Sequence, residues 1–273
     1  MSKQPSSGIS RSSFYLSFFL LTSEQREGLK SVYAFCRESD DRVDSLASPQ
    51  EKRDLLAEWR QELEQIYSGH AAHPAAAGLI DVVRHYEIPK IYFEELLQGM
   101  AMDIERNRYG TYQELDQYCY GAASTVGLIC LRIFGVSGEQ GREYAIAQGK
   151  ALQLTNILRD VRTDLQRDRI YFPKEDFIRF NYSENEFAAG RLGVPGKAFL
   201  DFQIGRARDL FSRTKKLFPV EERSKLNASR LMASVYEAVL DKIADDPGRI
   251  FIEKVRISKP TQAWLALKIL AGR

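Results

Sequence analysis

The chain has 273 residues, of which 44% are hydrophobic and 28% charged, with a formal net charge of +2. That length can bury one large core, so a single unit over residues 1–273 is expected, and the composition excludes a disordered or membrane-spanning chain. The near-neutral balance gives no sign of a nucleic-acid partner, and three cysteines, Cys36, Cys119 and Cys130, do not make a disulfide framework. Reduced thiols and a cytoplasmic location follow as expectations.

Met1 to Ser13 is polar and lacks the apolar run of a signal peptide. The apolar stretch from Phe14 to Leu21 is too short to span a bilayer. Helical spacing then dominates: it predicts helices near 23–46, 51–67, 74–86, 89–106, 111–134, 138–166, 196–218, 222–245 and 260–270. Strand-like alternation is nearly absent, so an all-α fold is expected. Asn181 to Gly196 carries Asn, Ser, Gly and Pro195 and reads as a long loop, a candidate mobile flap.

Two helices carry acids where apolar residues belong. In Arg37-Glu-Ser-Asp40-Asp-Arg-Val-Asp44, the i, i+4 spacing puts Asp40 and Asp44 one turn apart on one face, and Leu29, Tyr33 and Cys36 project within about 40° of Asp40. In Gln153-Leu-Thr-Asn156-Ile-Leu-Arg159-Asp160-Val-Arg-Thr-Asp164, the residues Gln153, Asn156, Asp160 and Asp164 form one stripe beside Leu154, Leu158, Val161 and Leu165. A solvated helix face is the ordinary explanation of an acidic pair. Here the acids adjoin the core, and burying a lone carboxylate costs several kcal/mol unless a cation compensates it. Two such stripes imply a shared cavity with cations between them. Oxygen ligands without His or Cys favour Mg²⁺, whose shell is usually completed by water and substrate phosphate, so a diphosphate substrate is expected. Arg37 and Arg159 flank the stripes; a salt bridge to the neighbouring acid is an equal reading for Arg159.

These residues resemble the squalene and phytoene synthases, from about Ser12 to Lys268. The first signature stands as Tyr33-Ala-Phe-Cys-Arg37-Glu-Ser-Asp40-Asp-Arg-Val-Asp44. The second runs from Gln153 to Asp164 and is followed by Asp168-Arg-Ile-Tyr-Phe-Pro173; Tyr118-Cys-Tyr-Gly-Ala-Ala-Ser-Thr-Val-Gly127 and Gly248-Arg249-Ile-Phe-Ile-Glu253 also match. The resemblance implies an all-helical isoprenoid-synthase fold that joins two allylic diphosphates at their first carbons. It implies that Asp40, Asp44, Asn156, Asp160 and Asp164 hold Mg²⁺, that Gln153, Arg37, Arg159, Arg249, Phe14 and Phe18 contact substrate, and that Tyr33, Tyr118 and Tyr236 line the reaction cavity as candidate catalytic groups. Some relatives carry a Lys near the position of Ser12; this chain has Arg11 beside it, a departure that touches the N-terminal phosphate contact.

The opening Ser-Ser-Phe-Tyr-Leu-Ser-Phe looks closer to bacterial squalene and presqualene diphosphate synthases, which implies two farnesyl diphosphates as substrates. Phytoene synthesis from two geranylgeranyl diphosphates is the alternative. A non-catalytic assembly protein of the same fold is a third reading, against which all four motif aspartates and Asn156 are present. No GxGxxG fingerprint accompanies the motifs, so NADPH use is open but not indicated, and a partner enzyme could finish the conversion of a released presqualene diphosphate. His70, His73 and His85 are expected at the surface or in packing, and Asp103 as a supporting or a surface acid. The tail from Lys254 to Arg273 resembles a weak amphipathic helix that could touch the inner face of a membrane, or pack on its own domain.

Overall fold

A computed structural model describes residues 17–271. Phe14, Arg11 and Ser12 lie outside the described residues. Among the described residues every regular element is helical, with one isolated bridge between Arg108 and Ile170 and no strand. No helix among them is long and apolar enough to cross a membrane.

After a short 3₁₀ turn at Phe18–Leu20, α1 (Ser23–Asp44) starts from Thr22, whose side chain and Gln25 form a reciprocal capping box. α2 (Pro49–Ser68) begins the same way at Ser48 and Glu51, with Pro49 in its first turn, and stops at Gly69 in the left-handed region. The predicted helix at 74–86 divides at Gly78 into α3 (Pro74–Ala77) and α4 (Leu79–His85). α1 buries Leu29, Val32, Phe35 and Val43. Its Ser39 hydroxyl donates to Phe35 O and accepts from Trp59 Nε1, both at 2.8 Å, while Phe35 and Trp59 stack at 4.8 Å. This polar pin fixes the rotation of α1 on α2, and so the direction in which Asp40 and Asp44 point.

α5 (Lys90–Glu105) is followed by α6 (Tyr112–Cys119), a π-helical turn at Tyr120–Ser124 and α7 (Thr125–Phe134), which together occupy the single predicted helix 111–134. The long α8 (Glu139–Gln166) carries the second acidic stripe. The π turn is gripped on both sides: Gly99 of α5 lies against Gly121, and Gly149 of α8 against Ser124, each so close that a Cβ would meet backbone within 2.8 Å. π turns of this kind are frequent at functional sites, and this one places Ala122 at the cavity wall, one turn after Tyr118.

The segment expected to be a loop and mobile flap, Asn181 to Gly196, instead contains α10 (Glu184–Ala188) and the start of α11 (Val194–Leu217), after the short α9 (Lys174–Arg179). Ser183 and Glu186 cap α10, and Tyr182 and Phe187 are buried among Phe177, Phe199 and Phe251. The Gly and Pro content that suggests a loop marks helix boundaries, and the buried aromatics tie the segment down. α12 (Asn227–Asp245) packs against α8 and α11, a 3₁₀ turn at Pro247–Phe251 follows, and α13 (Lys259–Leu270) lies on α12.

Candidate active site

The two acidic stripes open onto one cavity of about 440 Å³. Asp40 and Asp44 of α1 and Asn156, Asp160 and Asp164 of α8 all line it, with Tyr33, Tyr118 and Gln153. A narrower, apolar chamber of about 220 Å³ continues from it, sharing Ala122, Val126, Cys130, Gln153 and Asn156 as a common wall. Along α8 the chamber runs from Asn156 back to Tyr144, about 18 Å at the rise of an α-helix. It ends near Phe134 and Tyr144. A charged head and an apolar tail would thus be received by two compartments with different linings.

The charges at the mouth are arranged in opposition. Burial, and then Asp44, push the Asp40 carboxyl up to about 7; burial, and then Asp160 and Asp103, push Asp164 up to about 7. Asp40 keeps solvent contact on the cavity side, but protein atoms and acids surround it closely enough to penalise its ionised form. Burial acts on Asp160 too, but Arg159, at 2.6 and 3.0 Å, and Lys254, at 2.8 Å, outweigh it and hold that carboxyl below its ordinary value. Asp44 is met by Arg167 at 2.7 Å and Arg169 at 3.0 Å.

A third acid joins the stripes. Asp103 of α5, which the sequence leaves open between support and surface, accepts from the Tyr118 hydroxyl at 3.1 Å and from the Tyr171 hydroxyl at 3.0 and 3.1 Å. The Tyr118 and Tyr171 rings stack at 4.9 Å. Burial raises the Asp103 carboxyl to about 6, against the pull of Arg169 and the two tyrosines. Helical periodicity does not single out Tyr171, Arg167 or Arg169. Their signal is the tract after the second stripe, where Asp168 in the left-handed region (φ 53°), bonded to Arg108 and Asn107, turns the chain back toward the cavity.

Not every expected contact reaches the cavity. Arg37 points outward and pairs with Asp41 at 2.7 Å, and Arg249 pairs with Glu253; neither lines the cavity. Phe18 is buried in the core and lines neither compartment. Tyr236 lines the apolar chamber, with the Arg159 guanidinium 5.8 Å from its ring centre. His73 packs edge-on against Trp59 and His85 pairs with Glu24, both away from the acids.

Mg²⁺ fits these donors. The Asn156 Oδ1 atom is buried and accepts no hydrogen bond, while its Nδ2 is occupied by Gln153. An oriented, unsatisfied carbonyl oxygen beside Asp160 is a free oxygen donor, and Asp40 and Asp164, disfavoured as anions by burial and by neighbouring acids, gain from any cation placed between them. Among the described residues no three His, Cys, Asp or Glu groups close into a cage; Mg²⁺ is commonly held by one or two carboxylates and completed by phosphate and water.

The chain matches the family model described as squalene/phytoene synthase over residues 9–261. It is 32% identical to a 15-cis-phytoene synthase of Synechocystis over 275 residues, covering 94% of this chain and 82% of the relative. It is 33% identical to phytoene synthase 2 of Solanum lycopersicum, covering 95% and 86%. Its fold superposes on a dehydrosqualene synthase solved with a ligand (TM-score 0.84, 27% identity, 95% of this chain and 91% of the other). It also superposes on a squalene synthase of Alicyclobacillus acidocaldarius (TM-score 0.78, 27% identity, 88% and 90%). The all-α architecture is thus that of the isoprenoid synthases, and this chain belongs to the squalene/phytoene synthase family of head-to-head prenyl diphosphate condensing enzymes.

Proposed function

We propose that this chain joins two identical allylic prenyl diphosphates at their first carbons and releases a cyclopropylcarbinyl diphosphate or its rearranged hydrocarbon. One observation carries this reading: two acidic stripes, with Arg159, Arg167 and Arg169 beside them, line a cavity that continues into an apolar chamber.

Asp40, Asp44, Asn156, Asp160 and Asp164 are the residues that would hold Mg²⁺, which when bound supplies charge compensation for the departing diphosphate. Arg159, Arg167, Arg169 and Lys254, now paired with Asp160 and Asp44, are positioned to turn toward diphosphate oxygens as the head group enters. Cleavage of the C1–O bond leaves the electron pair on the diphosphate and an allylic cation in the cavity. The apolar wall formed by Ala122, Val126 and Cys130 keeps water away. The Tyr33 and Tyr118 rings offer π faces to the positive charge. The double bond of the second substrate attacks C1, and loss of one proton closes the three-membered ring. Tyr118, whose hydroxyl donates to Asp103 at 3.1 Å, is the candidate to pass that proton on, because the Asp103 carboxyl near 6 can accept it at neutral pH.

Two chain lengths are supported by different observations. The opening residues of the sequence and the names of the solved neighbours favour farnesyl diphosphate, with presqualene diphosphate or squalene as product. The sequence relatives named above are phytoene synthases and favour geranylgeranyl diphosphate. Incubation with each diphosphate and Mg²⁺, with and without NADPH, followed by product chromatography, tests both. Consumption of neither substrate refutes the reading. Turnover of farnesyl diphosphate to a C30 product supports the first length, and turnover of geranylgeranyl diphosphate alone supports the second.

A further inference from the structure

Helix α13 buries Ile269 against Leu231 and Val235 of α12. The other side of α12, at Ser229, Met232 and Tyr236, lines the apolar chamber. One helix therefore stands between the chamber and α13. The outer side of α13 is bare: Trp264, Leu267 and Leu270 are 53%, 65% and 63% exposed. The 3₁₀ turn at Phe18–Leu20 adds to this side. Leu20 packs into the same small cluster as Ile269, Phe19 is 77% exposed, and Ser17 lines the chamber. Several large apolar side chains in water at one place mark a surface that is covered in use.

The charge around the patch says by what. From Lys254 to Ala271 there is no acidic residue. Lys254 is committed to Asp160, but Arg256, Lys259 and Lys268 are exposed and form no ion pair among the described residues. The Lys268 ammonium sits 3.7 Å from the Trp264 ring centre. An aromatic ring with a cation at its rim, flanked by Leu residues and basic groups, suits the headgroup level of a bilayer. A second copy of this chain suits it less, because a two-fold contact would bring the same basic rims together.

We propose that α13 together with Phe19 docks this protein on a bilayer surface carrying anionic headgroups. Docking lays the α12–α13 side on the membrane and puts the apolar chamber one helix away from lipid. If the prenyl reading above holds, substrate tails and a hydrocarbon product then have a short path to an apolar phase that dissolves them. The docking itself does not depend on that reading, and its test measures binding rather than turnover.

The experiment is flotation of the full chain with vesicles of phosphatidylcholine alone and of phosphatidylcholine mixed with phosphatidylglycerol, at low and high salt. The protein is expected to float with the anionic vesicles and to be released by salt. The variant Trp264→Ser/Leu267→Ser/Leu270→Ser is expected to bind about tenfold more weakly or worse. Lys259→Glu/Lys268→Glu should lose the preference for anionic vesicles; this surface variant also decides the matter if the serine variant fails to fold. No flotation with anionic vesicles, or unchanged flotation of the folded variants, overturns the proposal. So does a dimer, seen by sedimentation without lipid, that the serine variant converts to monomer.

Discussion

Lys254 reaches back from the segment before α13 to place its ammonium 2.8 Å from Asp160 Oδ1, on the same carboxylate that Arg159 holds through two nitrogens. The second acidic stripe therefore carries two cationic partners of its own, much as Asp44 carries Arg167 and Arg169 on the first. An entering diphosphate can take over these partners. Lys254→Met removes one of them without creating a cavity. We expect the KM for the prenyl diphosphate to rise about three- to tenfold, in keeping with the ~1 kcal/mol typical of a partly exposed pair, with a smaller change in kcat. Steady-state kinetics check this, and an unchanged KM would show that Lys254 serves only Asp160.

The motif acids themselves should separate activity from folding. Asp160→Asn removes an anionic oxygen but keeps the shape, so turnover should fall about 10²- to 10³-fold, the loss typical of one charge-stabilising contact. Asp40→Asn should cost comparable activity. Because burial and Asp44 already disfavour the ionised Asp40 carboxyl, the metal-free variant should melt at the same temperature as the parent or higher. Full turnover by either variant contradicts the assignment of the two stripes to one site.

Much of this site can be seen in the sequence because helix periodicity is enough to rank faces. Asp40, Asp44, Asn156, Asp160 and Asp164 fall beside apolar positions at 3.6-residue spacing, and all five line the cavity. Direction within a face is harder to read. Arg37 lies one turn from Asp40 in sequence, yet pairs outward with Asp41. Residues outside regular helices have no periodicity to reveal them. Tyr171 and Arg169 depend on a left-handed turn at Asp168, and Lys254 on a stretch without helix. Asp103 finds its place only once α5 is set against the π turn, since its role depends on two hydroxyls far away in the chain. The Asn181–Gly196 stretch misleads for the converse reason: local turn residues outvote Tyr182 and Phe187, whose burial is a tertiary fact.

Burial of the acids at the mouth, reinforced by their neighbours' charge, predicts an unusual pH response. Asp40 and Asp164 sit near 7 and Asp103 near 6, all raised from 3.8. Between about pH 4 and 7 the folded protein thus binds more protons than the unfolded chain. Metal-free stability should therefore rise as pH falls from 7 toward 5, and decline as pH rises through 7. Mg²⁺ with inorganic diphosphate should raise the melting temperature most at pH 7.5, where the acids are ionised, and flatten the profile. A shift of about 3 °C or more is expected, since roughly 1 kcal/mol moves a chain of this size by a few degrees. Thermal melts across pH, with and without Mg²⁺ and diphosphate, measure it; a metal-free profile that climbs from pH 5 to 7 would reverse the sign argued here.

Asp103 provides a test of the hydroxyl pair. Tyr171 bonds both of its oxygens, and Tyr118 one. Tyr171→Phe leaves a buried carboxylate short of a donor and should destabilise the protein by about 1–3 kcal/mol. Tyr118→Phe leaves Tyr171 in place and should cost less stability but more activity, because Tyr118 is the hydroxyl proposed to pass the proton to Asp103. Urea unfolding and turnover of both variants, measured together, distinguish the roles. Equal effects on both quantities would mean the two tyrosines are interchangeable braces.

The π turn makes the sharpest structural prediction. A Cβ on Gly99 would lie 2.6 Å from the carbonyl carbon of Gly121 and 2.8 Å from Ala122 N, and these are backbone atoms that cannot swing aside. Gly99→Ala must therefore push α5 away from the turn that carries Ala122 into the cavity wall. Overpacking of this kind typically costs about 1–3 kcal/mol. It should also lower turnover by moving Tyr118 relative to Asp103, which rides on α5 one turn after Gly99. Gly205, in the middle of α11, is the control: nothing lies within 4 Å of a Cβ built there. Gly205→Ala should stabilise the protein by about 0.5–1 kcal/mol through helix propensity and a less flexible unfolded chain. The two substitutions add the same methyl group with opposite expected signs. If Gly99→Ala melts at or above the parent temperature while retaining turnover, the close approach of α5 to the π turn is not what holds this cavity wall in place.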